Sequence, residues 1–214
     1  MRLKKLNTIA LLSISTLFFA QEQNPIKESA DKQLYIKGNA LFIPVGIINI
    51  GLEQQITDKI TIQGDVFISP WKSFSGHELE YYMLGVDGRY YFKEAFKGWY
   101  LGANISFTKY KIQKWSYWND DFYYDADIDL LTNRINSNLY QKGHSVLFGV
   151  VGGYQFKIGD RWNMDIYAGI GNSQDFYKGY DRTTGERYDS APGWNRSSEW
   201  IPYKGGFMLS YRLK

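Results

Sequence analysis

The sequence predicts an all-β protein, an eight-stranded antiparallel up-and-down transmembrane β-barrel preceded by a cleavable signal peptide. Three observations carry that reading. Apolar residues alternate with polar residues or glycine in eight separate segments. The connections between those segments are short at one end and mostly long at the other, as in outer-membrane barrels. Charged residues within the segments fall on the face opposite the branched aliphatics, an arrangement costly in a dry core unless paired.

The amino terminus supplies the export signal. Arg2, Lys4 and Lys5 precede an apolar run from Ile9 to Phe19, and Ala20 stands before a polar stretch. That run is too short to span a bilayer as a helix, which needs about 20 residues. Residues 1–20 are therefore expected to be removed, 21–32 to form a short periplasmic segment, and 33–214 to form the barrel. Among all 214 residues there is no cysteine, so neither disulfides nor a lipid anchor at the cleavage site are available. Export also removes three of the 25 Lys and Arg residues and no acid, leaving 22 bases against 22 acids. A neutral mature chain lacks the electrostatic footprint of a nucleic-acid-binding protein.

The strand segments follow in order at 34–43, 47–56, 60–69, 80–92, 99–110, 145–156, 162–170 and 201–214. Within 47–56, Ile48, Ile50, Leu52 and Ile56 share one face, opposite Asn49, Gly51, Glu53 and Gln55. Within 99–110, Leu101, Ala103, Ile105 and Phe107 oppose Gly102, Asn104, Ser106 and Thr108. Turns at 57–59, 93–98 and 158–161 are short, whereas 70–79, 111–144 and 171–200 read as long loops. The turn at 44–46 is the exception, short where a long loop is expected. The closing segment "GGFMLSYRLK" places Phe207, Leu209, Tyr211 and Leu213 outward, and Met208, Ser210 and Arg212 toward the lumen.

The polar face carries Lys37, Glu53, Asp65, Asp87, Arg89, Asp165, Lys204 and Arg212, which a small lumen can hold as a salt-bridge network. Eight-stranded barrels have interiors just wide enough for side chains to fill, so this network is expected to plug the barrel. On the apolar face Tyr90, Phe92, Trp99, Tyr154, Phe156, Trp162 and Tyr211 gather beside the short turns, as an interfacial aromatic girdle would. Aromatic residues make up 18% of the chain, and such a girdle gives many of them a half-wet home.

The stretches "IKGNALFIPVGIINIGLEQQITDKITIQGDV" (36–66) and "YYMLGVDGRYYF" (81–92) resemble a family of small bacterial outer-membrane barrels catalogued only as a domain of unknown function. The resemblance implies an eight-stranded barrel of the OmpA/OmpX type and supplies no activity, cofactor or site residue.

Chemistry-bearing motifs are few. In the loop "KWSYWNDDFYYDADIDLLTNR" (114–134), Asp125, Asp127 and Asp129 begin like a calcium loop. Leu130 then stands where the sharp turn needs glycine, and Asn136 where a bidentate Glu is required. Only a weak cation site with Asp120 and Asp121 survives that comparison. Trp115, Tyr117, Trp118, Phe122, Tyr123 and Tyr124 in the same loop are candidates for stacking on a glycan or protein partner, or for packing on the barrel rim. His144 precedes Ser145, but strand neighbours point to opposite faces and cannot form a catalytic pair. His77 lies in a loop near Ser73 and Ser75 with nothing to fix a base beside a nucleophile. No enzyme activity and no cofactor are expected. The expected role is structural or interactive, a monomer in the outer membrane contacting the lipid bilayer, lipopolysaccharide, the outer-membrane assembly machinery and a surface protein or glycan. A narrow channel or small-molecule-binding barrel is the alternative, with a lipid-modifying enzyme third.

Overall fold

A computed structural model describes residues 32–74, 76–114, 121–125, 130–134 and 138–214, with backbone alone at 73, 74, 121–125 and 130–134. These residues form ten strands: β1 (Leu34–Asn39), β2 (Ile48–Gln55), β3 (Ile60–Phe74), β4 (His77–Tyr91), β5 (Gly98–Ile112), β6 (Asp121–Asp125), β7 (Leu130–Arg134), β8 (Leu139–Lys157), β9 (Trp162–Asp181) and β10 (Asn195–Arg212). Eight of them close an antiparallel barrel in which each strand pairs with its neighbour along the chain. The exceptions are β5, which pairs with β8 across the separate β6–β7 hairpin, and β1, which closes on β10 with Ile36 opposite Tyr211.

Strand and turn chemistry agree. Thr57 Oγ1 accepts from the backbone N–H groups of Lys59 and Ile60 and fixes the β2–β3 turn. Between β1 and β2, Pro44 sits in a single 3₁₀ turn (Ile43–Val45) that ends on Gly46 at φ 67°. The first strand therefore stops at Asn39, four residues before its apolar pattern does. In β10 the register shifts between Pro202 and Lys204, where proline has no N–H to donate to the ladder.

Strands β3, β8, β9 and β10 extend well beyond their alternating segments at the loop end, and β4 and β5 by three and two residues. Most of 70–79 pairs as the tips of β3 and β4, and the connection from β9 to β10 shrinks from 171–200 to 182–194. Lys109, Lys142, Gln174 and Lys178 occupy outward positions there. With lysines and Gln174 outward and a mixture such as Leu79, Ile112 and Asp175 inward, the period-2 signal fades, while the backbone ladder, which needs no such contrast, continues.

The two faces of the barrel are inverted relative to a water-soluble protein. Ile48, Ile50, Leu52, Leu84, Val86, Leu101, Ile105, Phe148, Ile166 and Phe207 all point outward, Ile105 with 60% of its surface open. Lys37, Glu53, Asp65, Asp87, Arg89 and Asp165 are buried inside. The outward aromatics touch in pairs near the short turns: Trp99 with Tyr154 at 5.1 Å, Tyr90 with Phe92 at 5.9 Å, and Trp162 with Tyr211 at 4.8 Å. Large outward rings therefore gather beside the short turns.

Candidate functional site

The lumen is filled by one continuous polar network. Lys204 Nζ reaches Asp65 at 2.6 Å and Asp87 at 2.9 Å. Asp87 takes the Arg89 guanidinium at 3.0 Å, which also meets Asp165 at 3.0 Å and Glu53 at 3.3 Å. Lys37 closes the chain, with Asp165 at 2.8 Å and Glu53 in contact. Four carboxylates therefore share three cations, drawn from β1, β2, β3, β4, β9 and β10. The Tyr91 hydroxyl lies within hydrogen-bond distance of Glu53 at 2.9 Å and Gln155 at 2.7 Å, and Tyr100 donates to Asp165, which brings the two remaining strands into the network. The Arg89 guanidinium also lies over the Tyr100 ring, 4.8 Å from its centroid. A one-residue slip of any strand would turn its charges outward, so the network fixes register as well as filling space.

Glycine makes room for this packing at two places. A Cβ on Gly153 would sit 2.7 Å from the Tyr100 hydroxyl and 2.6 Å from the Ile166 carbonyl. Gly206, at φ 138°, lies under the Asn39 amide, which donates to Asn49 and to the Gly205 carbonyl.

The short-turn end is stoppered. The β4–β5 turn folds inward, so that Phe96 and Ala95 are buried and the Phe96 ring lies 4.4 Å from Tyr35 and 6.1 Å from Tyr91. The Ala95 N–H donates to the Asp58 carbonyl of the neighbouring turn at 2.7 Å. Phe96 adopts φ 66°, a left-handed conformation uncommon for a bulky side chain and held here by its contacts.

The loop end is open. Above Asp65 and Asp87 the inward positions change from charged to apolar, leaving a cup of about 590 Å³ between Phe67, Tyr81, Met83, Ile112, Ile201 and Tyr203. Its floor is Tyr203, whose hydroxyl donates to Asn104 at 2.7 Å, and its rim carries a Lys114–Glu199 pair at 3.5 Å. Phe67, Tyr81, Met83, Ile201 and Tyr203 lie on segments that read as strand, but the lumen side of those segments is expected to be polar, so an apolar cup shows only when the inward positions are read one by one. Carrying the two-residue alternation of β3 from Asp65 to Phe67, and of β4 back from Asp87 to Met83 and Tyr81, would have found it.

Of the lumenal residues named from sequence, Lys37, Glu53, Asp65, Asp87, Arg89, Asp165 and Lys204 converge. Arg212 does not: it sits at the short-turn end and donates to the Asp160 carbonyl at 3.3 Å, beyond the reach of the central carboxylates. Trp115, Tyr117, Trp118, Asp120, Asp127 and Asp129 lie outside the described residues. Phe122, Tyr123, Tyr124 and Asp125 fall on β6 with Asp121, paired to β7 through the backbone. Among the described residues no cluster of His, Asp and Glu has metal-binding geometry. His144 points outward and stacks on Phe176, whereas Ser145 faces inward against Thr108 at 2.5 Å. His77 Nδ1 meets the Gln113 side chain at 2.9 Å.

The connection from β9 to β10 is braced by its own charges. Arg187 pairs with Asp189 and donates to the carbonyls of Ala191 and Gly193, and the Gly179 N–H donates to Asp189 at 2.7 Å. Against a rise from partial burial, hydrogen bonds from Arg187 and the Gly179 N–H bring the Asp189 carboxyl down to about 2. This brace is complete above the ordinary carboxylate range and is lost only as pH falls through about 2.

These features define a class, the small eight-stranded up-and-down β-barrel with a charge-packed interior. The model of the family described as "Protein of unknown function (DUF3575)" matches residues 8–213, and the chain belongs to that family. No curated protein matches it.

Proposed function

We propose that the protein is a monomeric outer-membrane barrel with a structural and interactive role. It anchors its loop-end connections at the cell surface while its sealed lumen prevents passage, and it performs no catalysis. The observation that carries this reading is the pairing of an exposed apolar exterior with an interior packed by a buried ion-pair network. In water that arrangement would expose a large apolar patch, whereas lipid would cover the apolar face and the closed ladder leaves no strand edge unpaired there. The signal-like residues 1–20, the aromatic girdle and the closing strand at 205–214 support the same placement, with the assembly machinery and lipopolysaccharide as its partners. The long 113–138 connection is the proposed contact for a surface protein or glycan.

In this role the protein fractionates with outer membranes, and its gel mobility shifts on heating. In planar bilayers it gives no stepwise conductance, because Arg89 and its carboxylates occupy the lumen. Recovery as a soluble periplasmic product would sink the membrane reading. Steady single-channel steps would instead support the channel.

A second reading has its own observation, the cup between Tyr81, Met83 and Tyr203. It suits a small apolar or amphipathic ligand, with Tyr203 and the Lys114–Glu199 rim to orient it. An environment-sensitive apolar dye should bind the detergent-solubilised barrel and be excluded by Met83→Trp, which fills the cup. Equal dye binding by both proteins would place the dye on the belt instead.

A further inference from the structure

On the outer face at the loop end, cations stand opposite cations. Lys111 pairs with Lys142 across the β5–β8 ladder, and Lys142 with Lys178 across β8–β9. The adjacent row, nearer the apolar belt, sets Lys109 opposite His144, then Phe176, then Arg196. Like charges directly opposite each other destabilise a sheet, so the fold gains nothing from setting Lys142 between Lys111 and Lys178. On β4, Glu78 meets Lys111 at 3.0 Å and Arg182 at 3.8 Å, and Glu80 stands opposite Lys111. Among the described residues Lys109, Lys142 and Lys178 have no ion pair.

These three lysines edge a cleft of about 540 Å³ with Phe107, His144 and Trp194. The walls are aromatic and held in place. His144 lies 5.3 Å from Phe176 and 5.1 Å from Trp194, and Lys178 Nζ sits 4.9 Å over the Trp194 ring. Trp194 in turn comes from the connection braced by Arg187 and Asp189. The floor is Phe107, 53% exposed, opposite Val146 in the ladder and continuous with Phe148 on the apolar belt.

We propose that this cleft binds the phosphorylated headgroup of an anionic glycolipid, with the acyl chains running down over Phe107, Val146 and Phe148. Lysines without an ion pair supply charge-assisted hydrogen bonds to phosphate oxygens, and a basic pocket beside a membrane span is where lipid headgroups are recognised. A free anion would use the lysines but leave the apolar floor without a purpose. The inference rests on the membrane reading of the barrel, because the apolar belt sets the depth of the cleft.

The test uses the full chain extracted in dodecyl maltoside and titrated with three probes: bisphosphorylated lipid A in mixed micelles, dephosphorylated lipid A, and inorganic pyrophosphate. The phosphorylated lipid should bind at least about tenfold more tightly than either of the others, the factor that one charge-assisted contact supplies. Lys142→Gln with Lys178→Gln should remove that advantage while leaving heat-modifiable mobility intact. Equal binding of phosphorylated and dephosphorylated lipid by the native chain overturns the proposal and needs no variant. So does unchanged binding by a folded double variant, and pyrophosphate matching the lipid would assign the cleft to a free anion. Failure of the membrane reading shows separately, as no insertion into vesicles of pure phosphatidylcholine.

Discussion

Arg89→Met should cost the barrel about 3–5 kcal/mol, the penalty for removing one partner of a buried charge cluster. Arg89 alone contacts Glu53, Asp87 and Asp165, and its side chain is fully buried. Without it, four carboxylates face only Lys37 and Lys204. The urea midpoint of the folded barrel, followed by tryptophan fluorescence in micelles, measures the loss. Combining the change with Asp165→Asn should recover part of it, since one uncompensated charge is then gone. A single variant as stable as the native chain would mean that the lumen is hydrated well enough to screen these charges.

Phe96→Ala should cost about 3–5 kcal/mol, as large-to-small changes at buried phenylalanines do. The ring plugs the short-turn end against Tyr35 and Tyr91. Its backbone, however, is held at φ 66°. Phe96→Gly loses the same ring yet occupies that conformation without a Cβ penalty, so it should be about 1 kcal/mol more stable than Phe96→Ala. The melting midpoint of the heat-modifiable gel shift ranks the two variants. The opposite order would mean that the turn rearranges once the ring is removed.

The barrel is legible in the sequence wherever its two faces differ. Ile48 to Gln55 and Tyr82 to Tyr91 announce both strand and side, because lipid-type and lumen-type residues alternate there. Lys37, Glu53 and Asp165 could be assigned to the interior on parity alone. Parity did not say how far along the barrel axis each side chain lies, and Arg212 was therefore grouped with charges it does not reach. Past Asp87 toward the loop end, Met83 and Tyr81 face inward while Glu80 faces outward, so the contrast between the faces weakens, and beyond Glu80 the strand reads as loop. The Phe96 stopper was illegible for a different reason. A turn's inward fold depends on contacts with Tyr35 and the Asp58 carbonyl, which are distant in sequence and carry no periodic signal. The cationic cleft needed the register of three strands, since Lys111, Lys142 and Lys178 become a row only once paired.

The seam between β1 and β10 has a consequence for the order of folding. The pairs β2–β3, β3–β4, β4–β5, β8–β9 and β9–β10 join neighbours through turns or connections, and each can form soon after its two strands meet. The seam instead joins residues 36 and 211, and its ladder is among the shortest in the barrel. Contacts so distant along the chain carry the largest loop-closure cost and form late. Until they do, the molecule is a curved open sheet with two unpaired edges, and Lys37 on one edge lies across the gap from Asp165 near the other. The lysine that completes the charge cluster is thus also the latch that draws the last two strands together.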